Sequence, residues 1–324
     1  MPWNTGPRSP CRLKPGGKNR SSNRVLAIWM YAFGMPKLTR RGIIKSGFAG
    51  LALSADLALP KSMLAEEKKV VRKGRIRQSV ARWCYKQISL EDLCVAGAQM
   101  GLEGIDLLQP EEFEIPLRYG LICTMGYAGG GTIQSELNRV ENHAAIEENF
   151  RKNIPLAVKA KVPNIITFSG TRAGMADEQG AANTVLGLNR LKKLAEDSGV
   201  TICMELLNSK VNHPDYMCDH TAWGVRVVSE VNSPHIKLLY DIYHMQIMEG
   251  DLIATIQKNS QWMGHFHTGG VPGRHELNDQ QEVQWDGVMR GIVQTGYRGY
   301  VAHEFIPTGD PLTSLRQAVD LCDV

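Results

Sequence analysis

The sequence predicts a single (β/α)8 barrel, and three observations carry that reading. From Ser79 onward, short apolar runs alternate with longer amphipathic segments. Eight such units fit into about 245 residues, the count and length of a closed parallel barrel. The main alternative is an open doubly wound sheet, which wants a glycine-rich phosphate turn after its first strand. Here the first run ends in RWCYKQIS, with no such turn.

Each element follows in order. SVARWCY reads as the first strand, and SLEDLCVAGAQMG as a helix with Ser89 at its N-cap and Glu91 and Asp92 in its first turn. EGIDLL and GLICTM supply the next two strands. Gly129-Gly130-Gly131 reads as a flexible loop over the rim rather than a phosphate cradle. An amphipathic segment from Leu137 to Lys161 leads into the strand NIITFSG, and ANTVLGLNRLKKLAEDSG, stopping on Gly199, leads into VTICMEL. The remaining strands are IKLLYDI, WMGHFHT and GYVAHEF. Helices are expected near Ala222–Val231, Leu252–Lys258, Asp286–Gln294 and Leu312–Leu321.

Ahead of the barrel, assigned to residues 76–324, lie two segments of different character. Residues 1–34 are rich in Arg, Pro, Ser and Gly without an apolar period; they read as disordered, or as lying upstream of a natural start at Met35. Residues 35–66 contain TRRGIIK followed by SGFAGLALSADLALP. Paired arginines before a moderately apolar stretch of small residues match the layout of a twin-arginine export signal, with Leu64-Ala65 a plausible cleavage point. The expected location is therefore the periplasm, with the cytoplasm as the alternative. The apolar stretch is too short, and too interrupted by Asp56 and Pro60, for a stable membrane span.

Charge is distributed unevenly. Residues 1–78 carry 17 Lys and Arg against 3 Asp and Glu, leaving 20 against 30 for the rest. An acidic body argues against nucleic acid as a partner, because phosphate binding needs a basic face. None of the seven cysteines forms a CxxC pair, which disfavours a zinc knuckle or a redox dithiol; Cys84, Cys123 and Cys203 fall in expected strands as small core residues. An exported chain admits a disulfide, whose pairing the sequence leaves open.

Four polar residues punctuate the ends of apolar runs in the second half: Glu205, Asp241, His267 and Glu304. Barrel active sites lie at the C-terminal ends of the strands. Any one of these residues alone would cap a helix or pair with a cation; four together make a divalent metal site. Two Glu, one Asp and one His form a mostly oxygen shell suited to Mn²⁺, Mg²⁺ or Co²⁺, with Zn²⁺ admissible but preferring more nitrogen or sulfur. His265 lies two residues before His267, so it faces the same side one layer deeper, whereas His303 faces away from Glu304. His244 follows Asp241 as DxxH, across the strand end and the following loop, in reach of a substrate oxygen. Arg274, in GVPGRHE, either clamps a substrate oxygen or pairs with Glu276 or Asp279.

A divalent ion holding a hydroxyl and a neighbouring carbonyl acidifies the C–H between them, and flanking carboxylates can move that proton. The product class is an aldose–ketose pair or an inverted carbon beside a carbonyl. A binding module without turnover needs no matched pair of bases, and a phosphodiesterase on this fold needs more His ligands and a basic face.

These residues resemble the xylose-isomerase-like barrel superfamily, in its hydroxypyruvate isomerase branch. The likeness runs through residues 76–310, in SVARWCYKQISLEDLC, ENHAAIEENFRKNIPLA, NIITFSGTR, MELLNSKVNHPDYMCD, LLYDIYHMQIMEGDL, GHFHTGGVPGRHELNDQQEVQW and GYRGYVAHEFIP. The resemblance implies that Glu205, Asp241, His267 and Glu304 ligate one divalent metal. It also implies that Glu205 and Glu304 transfer the proton, and that His244 and Arg274 contact substrate. The implied activity interconverts hydroxypyruvate and tartronate semialdehyde, or a similar small sugar, through a cis-enediolate. The alternative is a ketose 3-epimerase, or a 3-keto-sugar epimerase or lyase. Some hydroxypyruvate isomerases carry Gln followed by Ala-Asp where this chain has His267-Thr268-Gly269-Gly270, so its metal shell is closer to that of the ketose 3-epimerases. Related barrels often pair, which leaves a homo-oligomer open.

Overall fold

A computed structural model describes residues 69–128 and 132–324. The assigned leader segments 1–34 and 35–66, and the Gly129–Gly131 loop, lie outside the described residues.

Eight parallel strands pair in chain order and close on themselves. They are β1 (Arg77–Ala81), β2 (Gly104–Leu108), β3 (Ile122–Tyr127), β4 (Asn164–Thr167), β5 (Thr201–Glu205), β6 (Ile236–Asp241), β7 (Met263–Thr268) and β8 (Tyr300–His303). The closing ladder sets β1 beside β8, with Ser79 opposite Ala302. Strands covered on both faces have no solvated side, which is why they read as continuous apolar runs rather than as alternating ones.

The surrounding helices are α1 (Leu90–Met100), α2 (His143–Lys159), α3 (Asp177–Ser198), α4 (Thr221–Val231), α5 (Ile242–Met248), α6 (Leu252–Asn259), α7 (Trp285–Gln294) and α8 (Pro311–Cys322). Local chemistry sets their ends as expected. The Ser89 hydroxyl accepts from the Asp92 N–H at 3.0 Å, and α3 stops at Gly199 in the left-handed region, φ 72°.

Three departures from the expected pattern shape the rim. The first strand ends at Ala81, and residues 82–85 turn into a 3-10 helix that carries Trp83 over the barrel mouth. Between β2 and β3 there is no α-helix among the described residues; two proline-initiated 3-10 turns, Pro110–Glu112 and Pro116–Tyr119, make the crossover. After β6 come two helices instead of one, because Asp241 caps α5 directly. The DxxH segment is therefore helix, not loop.

The ladder between β2 and β3 is irregular around Asp106, and Leu107 takes a left-handed backbone, φ 58°. A non-glycine residue in that region is held there by its surroundings, and such kinks recur beside functional sites. Six cysteines, Cys84 among them in the 3-10 turn rather than a strand, are free and buried. Among the described residues no helix is long and apolar enough to cross a membrane.

Candidate active site

The ends of β5, β6, β7 and β8 bring Glu205, Asp241, His267 and Glu304 together. One ligand atom from each lies within 4.8 Å of all the others, and all four side chains are buried. Glu205 and Asp241 are the last residues of their strands, and Glu304 follows β8, held by its N–H donating to the Thr268 carbonyl at 3.0 Å. His265 and His267 share one face and His303 turns outward. The His303 ring meets the Thr268 hydroxyl at 3.1 Å and the Gln78 amide oxygen at 2.8 Å.

Asp106 on β2 is, like Trp83, a side chain at the cluster that the sequence reading missed. It is fully buried, sits 2.8 Å from His267 Nε2 and 3.2 Å from His265 Nε2, and accepts from the Thr124 hydroxyl at 2.6 Å. Burial disfavours its charge, but the two imidazoles outweigh that and hold the carboxyl well below its usual range. His267 turns Nε2 to Asp106 and Nδ1 to the cluster; burial opposes its charge, but Glu304, Asp106 and Glu205 outweigh that and hold the imidazole well above its ordinary range, so a cation at Nδ1 would have to displace a proton. Nδ1 faces Glu304 Oε2 at 2.5 Å and Glu205 Oε1 at 3.4 Å. Neither His267 Nδ1 nor Glu304 Oε2 makes a directed hydrogen bond, although both are buried. Buried carboxylate oxygens and an imidazole nitrogen crowded together in this way are a fitting donor set for a cation, which would take the place of the proton they now share.

The two glutamates are electrostatically unequal. Burial pushes Glu205 up to about 7, with Glu304 reinforcing the rise and His267 opposing it. Burial acts on Glu304 as well, but Arg274 and His267 overcome it and bring that carboxyl down to about 2. Two carboxylates with separated proton affinities are the pattern of an acid–base pair. Asp241 is pushed up to about 6 by burial, with Arg274 opposing.

Arg274 settles the open choice of partner. Its Nη2 lies 2.8 Å from Asp241 Oδ2 and 2.6 Å from Glu304 Oε2, and its Nε donates to the Glu304 carbonyl at 3.1 Å. Ion pairing with Glu276 or Asp279 is not what holds it: Glu276 instead accepts from Thr308, Gly309 and Ser314, and Asp279 from Gln280. A left-handed backbone at Arg274, φ 60°, turns the guanidinium back into the barrel. We expect Arg274→Lys to raise KM about 10-fold while metal affinity changes little, because a point charge cannot replace a planar fork. Unchanged substrate kinetics would remove Arg274 from substrate binding.

His244 lies beside the cluster, with its Nε2 3.7 Å from Asp241 Oδ2. It is fully buried and absent from the cavity wall, where His213, 5.4 Å away between ring centroids, stands instead. Its Nδ1 accepts from the Asn208 backbone N–H at 3.1 Å, and its Nε2 also lies 3.2 Å from Arg274 Nη1. Burial and Arg274 push it well below its ordinary range, so it stays neutral.

Above the cluster opens a cavity of about 250 Å³. Glu205, Glu304 and Arg274 reach it, and Trp83, Tyr127, Phe168 and aliphatic side chains form much of the rest. The Trp83 indole N–H donates to Glu304 Oε1, tying the barrel's first loop to its last ligand.

The profile of the xylose isomerase-like TIM barrel family matches residues 117–323. The chain belongs to this family. Within it, similarity to curated proteins points to one branch. The putative hydroxypyruvate isomerase of Homo sapiens is 26% identical over 178 residues, 53% of this chain and 64% of that protein. The hydroxypyruvate isomerase of Escherichia coli K12 is 25% identical over 231 residues, 68% of this chain and 88% of that one. A D-psicose 3-epimerase from Agrobacterium fabrum is 31% identical over 138 residues, 41% of this chain and 45% of that protein. The matches to the vertebrate relatives span 64% of the human and mouse proteins and 62% of the zebrafish one. Among solved structures, a 3-keto-D-glucoside 4-epimerase from E. coli superposes with a TM-score of 0.65 at 17% identity, covering 76% of this chain and 98% of that one. That likeness carries the fold.

Proposed function

We propose that the protein is a metal-dependent isomerase of the aldose–ketose type, acting on a small hydroxycarbonyl. The observation that carries this reading is the convergence of Glu205, Asp241, His267 and Glu304 at the C-terminal mouth of a closed barrel. The curated relatives named for hydroxypyruvate and 2-oxo-tetronate isomerases support the class.

In this reading the four residues hold one divalent cation, Mn²⁺, Mg²⁺ or Co²⁺. Bound there, it would acidify a substrate C–H and neutralise enediolate charge. Glu205, the more basic carboxylate, takes the proton from the carbon between hydroxyl and carbonyl. The electron pair left behind forms the cis-enediolate; for isomerisation the carbon proton returns to the neighbouring carbon and the hydroxyl proton passes to the former carbonyl oxygen, and for epimerisation the carbon proton returns to the opposite face of the same carbon, through Glu205 or Glu304. Arg274 orients the substrate oxygens, and Asp106 keeps His267 in its ligating tautomer. Return to the opposite face gives the second reading, a ketose 3-epimerase. It is favoured by His267, where some relatives are expected to carry Gln, and by the similarity to a psicose epimerase.

Chelation is expected to abolish substrate C–H exchange, and Mn²⁺, Mg²⁺ or Co²⁺ to restore it while raising Tm by mass action. Full activity in protein shown to be metal-free by elemental analysis would end the metal reading. We also propose export to the periplasm by the twin-arginine segment. Replacing Arg40 and Arg41 by Lys in the full chain should leave the protein in the cytoplasmic fraction; unchanged fractionation rejects that proposal.

A further inference from the structure

We infer that His213 carries the hydroxyl proton of the isomerisation from one substrate oxygen to the other, an assignment that rests on the proton-transfer reading above.

Isomerising a hydroxycarbonyl moves two protons. One leaves carbon and returns to the neighbouring carbon. The other leaves the hydroxyl that becomes the new carbonyl and ends on the oxygen of the old one. Epimerisation moves only the first, because its carbonyl and hydroxyl finish where they began. The second proton needs a carrier with an open lone pair near neutrality.

Few groups on the wall qualify. Among the described residues that line the cavity, Glu205 and Glu304 already serve the carbon proton. A guanidinium does not give up its proton, which excludes Arg274. Burial, reinforced by Glu304 and Glu205, pushes the Tyr127 phenol well above its ordinary range. The Trp83 indole is a donor only and is engaged with Glu304. Apart from His213, the other described wall residues are aliphatic or phenyl.

The backbone of His213 is fixed while its ring is free. The Asn208 side-chain oxygen accepts from the Val211 and Asn212 N–H groups at 3.0 and 2.9 Å, and the Asn208 carbonyl accepts from the His213 N–H at 3.1 Å. Tyr216 donates its N–H to the His213 carbonyl at 3.0 Å and its hydroxyl to the Glu205 carbonyl at 3.0 Å, which ties the turn to the end of β5. Pro214 further restricts the residue before it. The half-buried ring leans on His244, tilted by 58°. Among the described residues, neither of its nitrogens has a hydrogen-bond partner. A positioned imidazole with open nitrogens on a cavity wall is prepared for a polar group of the occupant.

The step balances. Once the carbon proton has left, the enediolate carries its charge on the old carbonyl oxygen. The lone-pair nitrogen of neutral His213 takes the neighbouring hydroxyl proton, and the imidazolium delivers it to the charged oxygen. The charge then lies on the other oxygen, whose electron pair becomes the new carbonyl as the second carbon is protonated. Burial and Arg274 hold His213 below its ordinary range, so the imidazolium returns its proton readily.

NMR in D₂O separates the two protons. With Mg²⁺-loaded protein and hydroxypyruvate, dihydroxyacetone or D-fructose, deuterium entering C–H positions reads the carbon proton, and conversion to the aldehyde isomer reads both. Glutamine can hydrogen-bond but cannot take a proton, so His213→Gln should lower conversion about 100-fold and C–H exchange by less than about 3-fold. His213→Ala should lose conversion to the same extent and regain part of it with free imidazole. The His213 ring resonances, identified by their loss in the Gln variant, should shift when a converted compound is added. Conversion retained in both variants, or conversion and exchange lost together, overturns the assignment. Wild-type exchange without conversion of any of the three compounds also overturns it and leaves an epimerase. No wild-type exchange on any of them removes the proton-transfer reading, and the role of His213 with it.

Discussion

Glu205→Gln and Glu304→Gln should each lower the rate of substrate C–H exchange by roughly 10²- to 10⁴-fold, the range that positioned acid–base groups contribute. Both carboxylates reach the cavity, one at the end of β5 and one after β8, and each offers a ligand atom to the cluster. Glutamine keeps the volume and one acceptor oxygen but cannot take a proton. The effect should be larger for Glu205, whose proton affinity is raised toward neutrality, than for Glu304, which Arg274 and His267 keep ionised. Exchange in D₂O separates loss of proton abstraction from loss of product release. Near wild-type exchange in both folded, metal-loaded variants refutes the two-base assignment.

Asp106→Asn should weaken metal binding about 10- to 100-fold, the usual cost of losing a partner that orients a ligand histidine. The carboxylate receives three groups at once: the His267 and His265 rings and the Thr124 hydroxyl. An amide offers one oxygen in place of two and turns an N–H donor toward the rings. His267 then no longer has its proton fixed on Nε2, and its Nδ1 lone pair is lost to the cluster for part of the time. At saturating metal, turnover should recover to within a few-fold of wild type, which a residue acting directly on substrate would not allow. An unchanged metal Kd would make Asp106 a packing group and nothing more.

Much of this site is legible along the chain. Buried parallel strands are apolar throughout, so a Glu, Asp or His near the end of such a run stands out, and strand alternation alone places His267 on the rim and His303 outside. Asp106 obeys the same pattern in EGIDLL and was passed over because it lies in the first half, away from the other four. Trp83 was hidden for a different reason: RWCY continues the apolar run, and nothing local says that the strand stops at Ala81 and the chain then winds into a 3-10 turn. DxxH reads as running from a strand end into a loop, whereas Asp241 caps a helix that buries His244, because the capping contact forms only in the folded chain.

By itself the sequence determined the number of strands, their parallel order and the residues that gather at one end of the barrel, because periodicity and burial are written locally in each unit. Which partners those residues take was decided only when the sheet closed. Arg274 had acids two and five positions away, yet it reaches Asp241 and Glu304 across the barrel mouth. Asp106 meets His267 across 161 positions of chain. Partnership among buried charges depends on distances through a low-dielectric interior, and those distances do not exist until the tertiary fold sets them.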